Sequence, residues 1–296
     1  MTVYPLMRYR WWFIGALGAV TAFAIIMVFV VGLNYGIDFK GGVRAEIRLT
    51  QPAQVNDVRA AFSNAGVAEP VVQSLGSDAF LVTAESMTDA QFKAALETLK
   101  PFGAQESATG VEIVGPSFGA ELERKVLLAI LIDFLVLIAY ISWRFQFKFA
   151  IPAIVALFHD VGFILGLYAV TGRIVTAATV AAVLTILGYS MHDTIIVFDR
   201  IRENQALLTR ESYSYIVNLS IRQTLARSIN TSVTAMLPIM AILLFGGVTL
   251  KDFAYALTVG IFTGTYSSFF VASPLLTIWK ERERTYRKRA LESAAK

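Results

Sequence analysis

Six apolar stretches recur along this chain, and each is long enough to cross a bilayer as a helix. They run Trp11–Leu33, Leu127–Trp143, Phe149–Val170, Ile174–Phe198, about Ser228–Phe245 and Phe253–Trp279. At about 1.5 Å of rise per residue, each covers most or all of a ~30 Å hydrocarbon core. Backbone amides in hydrocarbon must be satisfied within the protein, so such segments have to be helices. Composition agrees, with 56% hydrophobic and 16% charged residues against ~25% charged in soluble domains. There is no cysteine, which excludes a disulfide framework or a thiolate metal site. The first stretch follows Arg8 and Arg10 as a signal peptide would. However, Val30, Val31, Gly32, Leu33 and Asn34 make a poor cleavage site, so the sequence predicts a retained span.

Residues 34–122 differ in kind, with short or alternating apolar runs and an excess of acidic residues. Val43 to Leu49 alternates like a half-buried strand, and Val55, Val58 and Phe62 share one helical face. Val71 to Leu75 and Ala79 to Thr83 flank a Gly76-Ser77-Asp78 turn, as in a hairpin. Phe92, Leu96 and Leu99 form a second helical stripe before a last strand at Val111 to Val114. The order β-α-β-β-α-β predicts a ferredoxin-like α+β domain between the first and second spans.

Residues 199–228 are polar but carry Tyr213, Ile216, Val217, Leu219, Ile221 and Leu225, a pattern that predicts a helix lying at the interface. Gly260 and Gly264 form a GxxxG pair extended by Ser267 and Ser268, which predicts close helix packing in the sixth span. The expected divisions are thus 1–33, 34–122, 123–279 and a basic tail at 280–296.

The basic residues sort by side. Arg8, Arg10, Arg144, Lys148, those from Arg200 to Arg227 and those from Lys280 to Lys296 fall on one side, and Arg173 and Lys251 on the other. The positive-inside rule then places both termini in the cytoplasm and the 34–122 domain outside. The net charge of +4 is explained by this topology, and no nucleic-acid partner is needed.

Three carboxylates lie within spans: Asp133, Asp160 and Asp193. A charge there costs roughly 2.5–3.5 kcal/mol on insertion scales, so each is a candidate functional group. His159 and His192 immediately precede two of them. Metal ligands on one helix normally recur at i, i+3 or i+4, so two HD dipeptides favour protons over a metal. Asp193 has Tyr189, Ser190 and Thr185 on its stripe, and Arg227, at the start of the fifth span, is its candidate partner. The alternative for Arg227 is a snorkelling anchor at the membrane surface. A helix movement that pairs or parts the two would make Asp193 release or take up a proton.

The motifs GIDFKGG (Gly36, Asp38, Phe39, Lys40, Gly41 and Gly42 among them), HDV at 159–161, GYSMHDTIIVFDRIREN and QTLARSINTS resemble the SecF family, the smaller half of the SecD–SecF complex in the RND superfamily. The similarity covers residues 4 to 280. It implies a six-span half-unit that pairs with a SecD half in the bacterial inner membrane and uses protons as the coupling ion. It would promote export of polypeptides through SecYEG, with no enzymatic activity and no other cofactor. By the resemblance, Asp193 and Arg227 match the proton-relay pair, with His192, Asp160 and His159 as further candidates. Asp199, Arg200, Arg202, Glu203 and Asn204 match the motif at the cytoplasmic boundary. The family usually has Asn at position 192, so a second titratable group beside Asp193 is a departure, and Asp133 matches no motif. An intramembrane aspartyl protease is a second reading of paired carboxylates, but residues 188–193 do not form the GxGD-type motif expected of one. A small-molecule exporter of the same superfamily should carry two such halves in one chain.

Overall fold

A computed structural model describes residues 4–74, 78–104, 110–145, 147–283 and 286. Gly76, Ser77 and nearly all of the basic tail lie outside the described residues. The elements in chain order are α1 (Arg10–Val30), β1 (Gly42–Arg48), α2 (Val55–Asn64), β2 (Val71–Ser74), β3 (Ala79–Ala84), α3 (Asp89–Leu99), β4 (Gly110–Val114), α4 (Pro116–Arg144), α5 (Phe147–Thr171), α6 (Ala177–Leu207), α7 (Tyr213–Phe245), α8 (Val248–Ser267) and α9 (Ser273–Glu281). A one-turn helix at Ile37–Lys40 precedes β1, and a π turn at Ser268–Ala272 joins α8 to α9. The chain divides into two compact units, one made of Tyr35–Ala129 with Ile174–Ala177 and the other of the remaining segments.

The first of these units carries the βαββαβ order, with strands arranged β2-β3-β1-β4 and every neighbouring pair antiparallel. Alternation along β1 buries Val43, Ala45 and Ile47, which meet Val58, Ala61 and Phe62 of α2 and Phe92, Ala95, Leu96 and Leu99 of α3 in one core. The start of α3 is fixed by a capping box in which Gln91 N donates to Thr88 Oγ1 and Thr88 N donates to Gln91 Oε1 at 2.9 Å.

The GIDFKGG segment belongs to this unit and is built around its backbone. Gly41 and Gly42 have φ of 77° and 139°, a region that favours glycine. Asp38 Oδ2 accepts a 2.8 Å hydrogen bond from the amide of Ala177, the first residue of α6. Asp38 therefore caps this helix start from a distant segment, and its charge complements the positive helix end. Asp38→Ala is expected to cost about 1 kcal/mol and to raise amide exchange in the first turn of α6, with Asp38→Asn retaining most of the protection. Unchanged exchange in Asp38→Ala would show that the cap has no energetic role.

Among the described residues, six helical segments are long and apolar enough to span a membrane. Two boundaries differ from the sequence reading. α4 starts at Pro116 rather than near Leu127, so the break expected at 122/123 falls inside a continuous helix. Hydropathy registers only its apolar part, while helical pairs such as Glu121–Lys125, at 2.8 Å, belong to the polar first turns. The second difference concerns 199–228, which is not a separate interfacial helix. α6 runs on to Leu207, and α7 is one helix from Tyr213, N-capped by Ser212, to Phe245. Tyr213, Ile216, Val217 and Ile221 pack into the bundle core. An apolar stripe at i, i+3, i+4 and i+8 suits a bundle as well as a membrane surface, so periodicity alone could not separate the two.

α5, α6 and the α8–α9 segment form the buried centre of the bundle, whereas α1, α4 and α7 leave most of their apolar surface exposed. The α6–α8 contact is close, as the GxxxG spacing predicts. A Cβ at Gly260 would collide with Ile186, and one at Gly264 would lie 2.8 Å from Ser190 Cβ.

Candidate intramembrane polar site

The contact between Gly264 and Ser190 brings α8 close enough for its small polar face to meet α6, and α5 supplies the group that both enclose. Asp160 of α5 is fully buried. Its Oδ2 accepts hydrogen bonds from Ser190 Oγ at 2.6 Å and Ser267 Oγ at 2.9 Å, so one carboxylate oxygen ties three helices together. Its Oδ1 has no partner. One turn further along α6, Thr194 Oγ1 lies 2.8 Å from Ser268 Oγ at the start of the π turn. There Ser273 Oγ also donates to the Ser268 carbonyl at 2.7 Å, beside the Ser273 backbone N–H that closes the π turn on the same oxygen.

Asp193 lies one turn along α6 from Ser190 and is also fully buried. Neither of its carboxyl oxygens has a hydrogen-bond partner. A buried polar group without a partner costs about 1–3 kcal/mol, and more if charged, so the fold maintains this arrangement at a cost. Beside it, Tyr189 OH donates to Ser232 Oγ of α7 at 3.1 Å, and Ser232 Oγ lies 2.6 Å from Thr265 Oγ1 of α8. A seam of hydroxyls thus links α6, α7 and α8 one turn along α6 from the unsatisfied carboxyl.

The other candidates are spread out. Arg227 is exposed on α7, and among the described residues nothing hydrogen-bonds or ion-pairs with its guanidinium, Asp193 included. His192 is exposed while Asp193 is buried, as the ~100° step between adjacent helical residues requires. His159 is buried, with Nδ1 2.5 Å from Thr21 Oγ1 of α1 and Nε2 2.9 Å from Tyr266 OH, so both ring nitrogens are engaged. Asp133 is half-buried on α4 with one oxygen lacking a partner. The boundary motif lies in the last turns of α6, before the connection to α7. Asp199 faces Arg144 and Arg202, each at 3.6 Å, and Arg200 pairs with Glu203 at 2.6 Å. Asn204 donates to Ser220 Oγ and Gln223 Oε1, both at 2.8 Å. Sequence reasoning missed Ser267 as the second donor to Asp160 and Thr21 and Tyr266 as partners of His159. The available signal was their type, small hydroxyl residues or tyrosine within otherwise apolar spans.

Two family descriptions match this chain. Protein export membrane protein SecD/SecF, C-terminal, covers residues 94–282, and the SecD/SecF GG motif covers residues 26–53. The protein translocase subunit SecF of Desulfurispirillum indicum is 37% identical over 94% of this chain and 92% of its own length. The chain belongs to the SecF family of protein translocase subunits. The SecF of Thermobaculum terrenum is 38% identical, covering 97% of this chain and 98% of that protein. The crystal structure of SecDF from Thermus thermophilus, described as a translocon-associated membrane protein, superposes with a TM-score of 0.85 at 37% identity, covering 95% of this chain but 39% of that one. This SecF-family chain is therefore a multi-pass membrane component of protein export, and it corresponds to well under half of the fused SecDF protein. The GG-motif match includes the segment in which Asp38 caps α6, and the C-terminal match includes every member of the polar site.

Proposed function

We propose that the chain couples the proton gradient to protein export as one half of a SecD–SecF pair, with Asp193 as the group that takes up and releases the proton. The observation that carries this reading is a fully buried carboxyl with two unsatisfied oxygens, held beside a hydroxyl seam in a membrane-spanning helix. Arg227 is the cation that pairs with it when α6 and α7 shift, and the present arrangement corresponds to the parted state. Asp160 keeps α5, α6 and α8 together while this happens. His159, buried beside Asp160, and the exposed His192 are secondary groups in the proton path.

Fusion of SecD and SecF sequence in one Thermus thermophilus protein supports a SecD half as partner, docked against the exposed apolar helices. SecYEG and, indirectly, the exported polypeptide are the further partners. The basic residues favour both termini in the cytoplasm of a bacterial cell, with the βαββαβ unit on the far side of the inner membrane. The activity is transport, with no catalytic chemistry of its own. In proteoliposomes containing the translocon and the SecD–SecF pair, Arg227→Met is expected to lower gradient-dependent export at least ~10-fold while pairing with SecD persists. That loss corresponds to ~1.4 kcal/mol of coupling. Export that keeps its full gradient dependence in Arg227→Met would overturn the assigned role.

A further inference from the structure

Beside Lys148 and Lys280, residues of α5 and α9 line a groove of about 540 Å³. Ile151, Pro152 and Val155 line one wall, and Leu275, Ile278 and Trp279 the other, with Arg282 and Glu283 at the mouth. The volume falls within the ~300–1,000 Å³ usual for small-molecule sites. We propose that this groove binds an anionic phospholipid, with an acyl chain along the apolar walls and the phosphate against the Arg282 guanidinium.

Charge at the mouth selects the headgroup. Glu283 would repel a phosphate if it stood alone, but its carboxylate is engaged by Lys148 at 2.8 Å and Lys280 at 3.4 Å. Partial burial pushes the Glu283 carboxyl up, and the two lysines more than offset that, holding it below the usual glutamate value. The acid is therefore ionised and already neutralised. Arg282 is exposed, and among the described residues its guanidinium makes no ion pair or hydrogen bond. A guanidinium offers a planar fork of donors suited to phosphate oxygens. Trp279, partly exposed on the groove wall, is a residue type that settles at the headgroup level. An apolar trough that ends in a tryptophan and an uncommitted arginine matches an amphiphile with an anionic head. A free phosphate would make no use of the trough, and an uncharged lipid would make no use of the arginine.

The test uses the full chain, with its partner half where the two co-purify, in phosphatidylcholine nanodiscs doped with brominated phosphatidylglycerol or brominated phosphatidylcholine. Quenching of Trp279, isolated as the difference from Trp279→Phe, should favour phosphatidylglycerol by roughly fivefold, the factor expected of one basic residue near an anionic lipid surface. Arg282→Gln should remove the preference without loss of folding, since the side chain is exposed. Equal quenching by the two lipids, or a preference that survives Arg282→Gln, overturns the proposal. The absence of native cysteine allows a second arm, a photo-crosslinker placed at the exposed position Val155→Cys. Crosslinks to phospholipid support the assignment, and crosslinks to another polypeptide show that a protein element fills the groove instead.

Discussion

Asp193→Asn is expected to reduce export in the presence of a proton gradient to the level seen without one, while membrane insertion and pairing with a SecD half stay intact. The substitution keeps the shape of the side chain and removes its ability to carry a charge. Asp193 is fully buried and neither oxygen has a partner, so no fold-defining hydrogen bond is lost with the carboxyl. The stability change should accordingly be small, and a buried site relieved of a potential charge can even gain. The functional loss should be near complete, because each charge moved across the membrane supplies ~2.3 kcal/mol per 100 mV and the variant has no group to harness it. Measuring export into energised vesicles, with and without an uncoupler, checks this directly. If Asp193→Asn still responded to the gradient, the coupling site would have to be elsewhere, and Asp160 would be the first place to look.

The second large effect concerns stability. Ser190→Ala with Ser267→Ala is expected to destabilise the bundle by about 2–6 kcal/mol, because it strips both donors from a fully buried carboxylate that has no other partner. Asp160→Val in the wild-type background should cost less. The two serines can turn back to helix carbonyls, and Ser267 already lies 3.3 Å from the Gly264 oxygen. The triple variant, with valine between two alanines, should recover much of the loss, since a buried polar cluster replaced as a set by apolar groups is often neutral. Thermal unfolding of the four proteins in detergent checks the order. A double serine variant as stable as wild type would show that the clamp contributes nothing. If the triple variant is stable but export is lost, Asp160 acts in the transport cycle as well as in holding the helices.

Much of this architecture was legible in the sequence because the physics that produced it is local. Apolar runs identified six spans, and alternation with turn residues gave the βαββαβ order, since both depend only on neighbours in the chain. The GxxxG spacing likewise anticipated the close approach of Gly260 and Gly264 to α6. Asp160 and Asp193 stood out as carboxyls in an apolar context. The sequence could not show that Ser190 and Ser267 converge on one oxygen of Asp160, because that depends on the rotation of three helices about their axes. Nor could the GIDFKGG motif show that Asp38 caps a helix that begins far along the chain. The interfacial helix expected at 199–228 failed because an apolar stripe specifies that something covers it, without specifying whether the cover is lipid or protein.

The π turn at Ser268–Ala272 has a consequence for angular phase. Each residue advances an α-helix by about 100°, so one extra residue accommodated within a helix rotates everything beyond it by that amount. Ser267 and Ser268 are both buried at the polar site, and Leu276 and Thr277 are again buried further along, with Trp279 on the groove wall. The wide turn thus works as a fixed dial between two faces of one segment: upstream it aims hydroxyls at Asp160 and Thr194, and downstream it sets which side of α9 lines the groove.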